Sequence, residues 1–209
     1  MSGAREKGVK MGTRWPLIAG VILGFGALAL GFAVGGDTIE RWHLAARWTA
    51  RAGFPLLIAA YVARPLVQLG PSDFAKALLA RRKWFGLGFA ASHTVHLAAL
   101  ATFLTITNQP PQTTTLIGGG SAYALLYAMA LTSTDAAKRA MGRWWKVLHK
   151  TGIHWLWFVF ASSYAGRLSD PDRWMIGAVF TPIAVAAAAI RFAAWVKVRR
   201  MQAARAVPA

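Results

Sequence analysis

Long apolar stretches alternate with short polar segments along the whole chain. A helix of about 20 residues crosses a hydrocarbon core of about 30 Å, and six stretches approach that length. The predicted spans are residues 15–36, 47–69, 84–107, 116–134, 147–166 and 174 to about 196. The pattern predicts an all-α, polytopic membrane protein built as a six-transmembrane-helix bundle.

Composition agrees with this class. The chain of 209 residues is 56% hydrophobic and has a mean hydropathy of +0.41, which is too apolar for an ordinary soluble domain. We expect a basic N-terminal tail at residues 1–14, the six-helix domain at 15–198, and a second basic tail at 199–209. The lipid bilayer is therefore the first predicted partner.

The net charge of +17 is distributed in short basic runs between the apolar stretches. With the N-terminus inside, the inner segments carry 19 of the 24 basic residues, and the outer loops carry the other five. The positive-inside rule then predicts that both termini are cytoplasmic, in a bacterial inner membrane. This distribution explains the charge without nucleic acid, which we do not expect as a partner.

Four histidines lie within two predicted spans: His93 and His96 in the third, His149 and His154 in the fifth. Ionisable groups at membrane depth are costly and mark functional sites. The chain has no cysteine, which excludes iron–sulfur clusters and covalent haem attachment. Imidazoles from two helices are typical axial ligands of haem b, so we predict a non-covalent haem b site.

Depth along the helices suggests which imidazoles share an iron. At about 1.5 Å per residue, His93 and His96 lie about 13 and 18 Å along the third span, and His149 and His154 about 6 and 13 Å along the fifth. We therefore predict His96 and His154 as the axial pair, with His93 as the alternative on the third span and His149 as the alternative on the fifth. His149 is assigned to a second site or a haem propionate, and His43, in a predicted outer loop, to no role.

The basic residues near the inner face have two interpretations. Topology alone explains Arg81, Arg82, Lys83, Arg143 and Lys146. Cationic partners for haem propionates would also lie there, and a soluble electron donor would dock on such a surface. We assign Arg82 and Arg143 to cofactor binding, and we predict no catalytic residue.

Four segments carry a resemblance to a known family. They are Ala63–Leu66 (ARPL), Arg81–Leu87 (RRKWFGL) leading to Val95–Leu97 (VHL), Leu131–Asp135 (LTSTD), and Gly142–His149 (GRWWKVLH). In order and spacing they resemble the ferric-reductase-like transmembrane domain family. Within it, they are most similar to the small haem-binding membrane subunits of the bacterial methionine sulfoxide reductase system.

The resemblance implies roles for particular residues. His96 matches the family's helix-three haem ligand, and His149 matches its inner helix-five histidine. Where such relatives usually have a further histidine on helix five, this chain has Ser162, and it has His93 and His154 instead. A relocated site that uses His154 would restore matching depths, and the haem count, one or two, stays open.

The resemblance also implies transmembrane electron transfer as part of an oxidoreductase. Electrons would come from a cytoplasmic flavin (FMN or FAD) or nicotinamide donor, or from the quinone pool, and would pass to a separate acceptor outside. The alternative is a transporter or channel-like protein that uses the histidines for metal or proton handling. It is weaker because all seven acids fall in predicted tails or loops, whereas ion pathways usually recruit carboxylates.

Overall fold

The computed structural model describes residues 3–206, with side chains from residue 14 to residue 205. This described part is helical, and the first and last residues of the two predicted tails lie outside it. The helices are α1 (Gly3–Val34), α2 (Thr38–Ala52), α3 (Phe54–Leu69), α4 (Asp73–Ala80), α5 (Arg82–Ile106), α6 (Thr113–Leu131), α7 (Asp135–Met141), α8 (Arg143–Gly166) and α9 (Trp174–Ala206), with a 3₁₀ turn at Arg167–Ser169.

Five segments are long and apolar enough to cross a membrane. They are Arg14–Val34, Thr38–Leu69, Arg82–Ile106, Thr113–Leu131 and Trp174–Arg205. α8 has 24 residues but is not among them, since it is less apolar over its length: three basic side chains and two histidines lie in its first half. The prediction of six spans is thus supported at five positions, and a crossing by α8 stays a prediction.

Glycines bring α1 close to two neighbouring helices. A Cβ at Gly20 would overlap the backbone of Gly88 on α5, and a Cβ at Gly31 would overlap the backbone of Ala45 on α2. Small residues at such points let helix backbones approach closely, which is a common basis of helix association in membranes. α1 therefore packs against α5 and α2 along its length.

The second predicted span differs from the structure at its start. Asp37 caps α2 by accepting a hydrogen bond from the Glu40 backbone N–H at 2.8 Å, so the helix begins at Thr38. The expectation that His43 lies in a loop is therefore wrong: it is a residue of α2, and its ring stacks on Phe103 at 4.9 Å. α2 and α3 follow each other with a break at Gly53.

An aromatic core joins α3, α8 and α9. Phe54 lies at 5.5 Å from Phe160, 5.0 Å from Tyr164 and 5.6 Å from Phe180, measured between ring centroids. All of these rings are wholly or partly buried. Further along the same helices, Arg191 of α9 contacts α3, so these helices enclose the interior where the histidines of α8 lie.

Two short helices that the sequence analysis did not predict lie at one end of the bundle. Ser72 caps α4 by accepting from the Ala75 N–H at 3.2 Å, and Thr134 caps α7 by accepting from the Ala137 N–H at 3.1 Å. We call this end, which includes the starts of α5 and α8, the basic end. The other end, with the start of α2 and the 3₁₀ turn, is called the opposite end.

The glycine contact between α1 and α5 gives a test of the packing. We expect Gly88→Ala to lower the free energy of unfolding by about 1–3 kcal/mol, because its Cβ would overlap the Pro16 carbonyl. In detergent this corresponds to a fall in Tm of about 3–10 °C. Gly86→Ala is the matched control, since a Cβ there meets nothing within 4 Å. Equal Tm values for the two variants would contradict the packing.

Candidate cofactor site

A cavity of about 950 Å³ opens at the basic end, between α3, α5, α6, α8 and α9. This volume lies at the upper end of the range for cofactor and small-molecule sites, about 300–1,000 Å³. Aliphatic and aromatic side chains form most of its wall. Its polar lining includes Tyr61, Arg64, Arg82, His149, His154 and Arg191.

His154 has both ring nitrogens engaged. Its Nδ1 lies 3.3 Å from the Tyr61 hydroxyl, and its Nε2 lies 3.2 Å from Nη2 of Arg191. Because a guanidinium only donates, Nε2 is the acceptor, and the neutral ring carries its proton on Nδ1, which donates to the Tyr61 oxygen. A ligating histidine shows the same arrangement, with one ring N–H held by an outer partner and the other nitrogen's lone pair available.

Three helices fix this group, which we call the Tyr61–His154–Arg191 network. Arg191 donates from Nη1 to the Tyr61 carbonyl at 2.8 Å, and its guanidinium lies 4.4 Å above the Tyr61 ring. Trp157 stacks on Tyr61 at 5.8 Å and donates from its indole to the Ala184 carbonyl at 2.9 Å. These contacts orient the His154 imidazole from α3, α8 and α9 at once.

His149 lines the same cavity nearer the basic end. Its Nε2 lies 3.2 Å from the Thr132 hydroxyl, which itself donates to the Ala128 carbonyl at 2.6 Å. The threonine oxygen therefore accepts from Nε2–H, which leaves the Nδ1 lone pair available. Trp145 stacks on the His149 ring at 4.0 Å and also bonds Thr132, so this imidazole too is held by its neighbours.

The two histidines of α5 do not line this cavity. His96 donates from Nδ1 to the Thr49 hydroxyl at 3.2 Å, because that hydroxyl already donates to the α2 backbone. The His93 ring is only 5% exposed and packs on Phe89 at 4.3 Å. Phe89 also lines the cavity, so it lies between the cavity and the α5 imidazoles. The structure thus groups the predicted histidines as two pairs.

Of the two basic residues predicted to bind the cofactor, only Arg82 lines the cavity. Arg82 lines the cavity and donates from Nε to the Ala60 carbonyl at 3.0 Å. Arg143 is exposed, with its guanidinium 5.2 Å above the Trp144 ring, and does not line the cavity.

Sequence reasoning missed the roles of Tyr61 and Arg191. Arg191 lies in an apolar stretch near one end of the last predicted span, where it was assigned to topology alone. A cation inside an apolar span is itself a signal of function. Its partner Tyr61 gave no such signal, because tyrosine is common in apolar helices.

The donor set fits an iron porphyrin better than a bare metal ion. Among the described residues, no three His, Asp or Glu side chains come together as a metal site. A porphyrin supplies four ring nitrogens of its own and needs only axial imidazoles. The cavity presents His149 and His154, which are five residues apart on α8, so one iron would take one of them from this helix. Its propionates would need cations, and Arg64, Arg82 and Arg191 line the cavity.

Fold and site together define an all-helical, multi-pass membrane protein with an imidazole-lined cavity. The chain is 32% identical over 127 residues to the protein-methionine-sulfoxide reductase heme-binding subunit MsrQ of Enterobacter sp. (strain 638), covering 54% of this chain and 62% of the relative. It is 31% identical, with the same coverage, to MsrQ of Cronobacter sakazakii (strain ATCC BAA-894). The chain thus spans about three fifths of the length of these curated relatives. No family model matches the chain, and no solved structure matches it.

The hydrogen bond between Tyr61 and His154 gives a test that needs no cofactor. In Tyr61→Phe, Nδ1–H loses its acceptor, so we expect His154 to shift toward a mixture of tautomers. Side-chain ¹⁵N NMR of histidine-labelled protein measures this directly. Tyr127→Phe is the control, since that hydroxyl bonds Thr94 and no histidine. An unchanged His154 spectrum in Tyr61→Phe would contradict the assigned network.

Proposed function

We propose that this chain is a haem b-binding electron-transfer subunit of a bacterial inner membrane, with both termini cytoplasmic. The observation that carries the proposal is the His154 imidazole, held through Nδ1 by Tyr61 with its Nε2 lone pair directed at a cation in the cavity. The similar MsrQ proteins are named heme-binding subunits of a methionine sulfoxide reductase system, which supports the same cofactor.

The proposed axial ligands are His154 on α8 and His96 on α5, with His149 and His93 as the alternatives on the same two helices. Because His96 and His93 do not line the cavity that His154 lines, this pairing requires the packing of α5 against the cavity to open, including the Phe89 ring that covers His93. His96 keeps Nε2 free for a ligand because its Nδ1–H is donated to Thr49. His149 would bind a propionate or a second haem. Bound haem iron supplies one-electron chemistry, and the residues around it hold and orient the imidazoles.

Arg191 has a second role in this proposal, as a partner of a haem propionate. Its guanidinium donates to the lone pair that an iron would take, so ligation requires it to turn to another acceptor. A propionate is such an acceptor, and Arg64 and Arg82 lie on the same cavity wall. Charge-assisted hydrogen bonds of this kind are about twice as strong as neutral ones. The arginines would therefore hold the cofactor's carboxylates while the apolar wall excludes water.

The direction of electron transfer depends on the proposed topology. A flavin or nicotinamide donor, or a quinol, would reduce the site from the basic end, where Arg143 and Lys146 are exposed for docking. A separate acceptor would take the electrons at the opposite end. A methionine sulfoxide reductase partner is proposed by similarity to MsrQ, and the label ferric-reductase-like stays a resemblance. The comparisons do not favour the transporter or channel alternative.

Haem retention tests the ligand assignment. We expect purified wild-type protein, expressed with ample haem, to show a sharp Soret band and reduced α and β bands. His154→Ala should lose most of this haem because it loses an iron ligand, whereas His43→Ala should retain it, since His43 stacks on Phe103 far from the cavity. The haem-to-protein ratio is the measurement.

Other outcomes of this experiment would contradict the ligand assignment or the haem proposal. Equal haem content in His154→Ala and His43→Ala refutes the assignment of His154. If His149→Ala loses haem and His154→Ala retains it, the iron ligand is His149, which lies about one and a half helical turns nearer the basic end. A colourless wild-type protein removes the haem proposal itself.

Single cysteines test the topology, because the chain has none of its own. Ala136 on α7 and Ser169 in the 3₁₀ turn are both exposed and lie at different ends of the bundle. In spheroplasts, a membrane-impermeant thiol reagent should label Ser169→Cys and should label Ala136→Cys only after lysis. The reverse pattern would place the basic end outside. Labelling of both cysteines before lysis would contradict a crossing of the membrane by α8, which lies between the two positions.

A further inference from the structure

The opposite end of the bundle carries arginines and no lysine. The five basic residues assigned there by the sequence analysis are Arg41, Arg47, Arg51, Arg167 and Arg173. The positive-inside rule disfavours cations on this side, so those that remain call for an explanation. Arginine differs from lysine in its planar fork of donors, which matches the oxygens of phosphate and carboxylate groups.

Arg167 is at the centre of this group. It is half-buried, its guanidinium lies 5.6 Å above the buried Tyr164 ring, and it donates to the Ser163 hydroxyl at 2.6 Å. Burial lowers the pKa of Arg167, and the nearby charges of Arg173 and Arg47 lower it further, against the opposing effect of Tyr164. A fourth arginine, Arg51, lies three residues before Phe54, whose ring centroid is 5.0 Å from that of Tyr164. Arg47 and Arg51 are four residues apart on α2, so these like charges share one face of the helix and repel each other.

Three of the four acids at this end are already in use, and the fourth, Asp172, is exposed to solvent. Asp170 pairs with Arg173 at 2.5 Å, and Asp37 caps α2. Glu40 accepts from the Gly36 backbone N–H at 2.8 Å.

Arg47 and Arg51 are half-buried and make no ion pair or side-chain hydrogen bond with the protein between residues 14 and 205. The Tyr164 hydroxyl likewise has no hydrogen bond to another residue of that range. Half-buried cations that repel each other are unfavourable unless a counter-charge is present.

We propose that Arg47, Arg51 and Arg167, with the Tyr164 hydroxyl, form a binding site for a phosphate-class anion at the opposite end. The ligand is the headgroup of an anionic phospholipid or free phosphate, which share a phosphate group and a net negative charge. Exposed apolar side chains lie on the same elements: Trp48 is 40% exposed and Leu168 is 49% exposed. Such surfaces beside an anion site suit acyl chains. The inference does not depend on the haem proposal.

The test compares Tm values of the purified full chain in neutral detergent. Phosphatidylglycerol should raise the wild-type Tm by about 2–4 °C relative to phosphatidylcholine, since a ligand of the native state stabilises it by mass action. The double variant Arg51→Gln/Arg167→Gln should lose this shift. Arg41→Gln, on the same helix as Arg51 and bonded to the Gly35 carbonyl, should keep it.

Each outcome decides a point. Without phospholipid or phosphate, the double variant should have about the same Tm as the wild type, because relief of the repulsion between the arginines offsets the loss of the Arg167 contacts with Ser163 and Tyr164. A large loss of Tm there means a structural role and overturns the site. A wild-type shift with inorganic phosphate, at constant ionic strength, identifies free phosphate as sufficient, and a shift with phosphatidylglycerol alone identifies the lipid. The same shift in wild type and double variant overturns the proposal.

Discussion

Polar groups between the helices of a membrane bundle have no water to satisfy them, and the partners they find inside the protein decide the shape of this site. His154, Tyr61 and Arg191 come from three helices and satisfy one another. Each of the three side chains depends on the others for its hydrogen bonds: the imidazole needs an acceptor and a donor, and the guanidinium needs acceptors. The network therefore locks the relative positions of α3, α8 and α9 and fixes the imidazole's tautomer in the same step.

α5 serves two different kinds of packing. On one side, Gly88 allows the backbone of α1 to approach closely, and no side chain separates the two helices there. The adjacent residue, Phe89, lines the cavity and covers His93. One helix thus combines close backbone packing toward α1 with large side chains toward the interior. This arrangement leaves room for a cavity of about 950 Å³ without loosening the rest of the bundle.

Hydrophobic length and rare residues were the two features of the sequence with predictive value. Apolar stretches located most helices. The rarity of histidine in apolar helices singled out four residues, of which His149 and His154 line the cavity and His93 and His96 do not. The sequence did not predict that Asp37 starts α2 before His43, because a cap outweighs the local polarity of that helix. Nor did it predict Arg191 as a partner of His154, since the two are 37 residues apart and only the packing of α8 on α9 joins them.

The two histidines of α5 differ in whether Nδ1 has a hydrogen-bond partner. His96 has its Nδ1 bonded to Thr49, so only its Nε2 lone pair is available. His93 has a buried Nδ1 without a partner among the described residues, and Ser92 beside it has a buried hydroxyl in the same condition. Each such group costs about 1–3 kcal/mol. Both lie against Gly53, where α2 meets α3 and a Cβ would be 2.7 Å from His93 Nδ1. The unpartnered nitrogen therefore faces the junction of α2 and α3 and not the cavity, and a ligand bound through Nε2 would leave its cost in place.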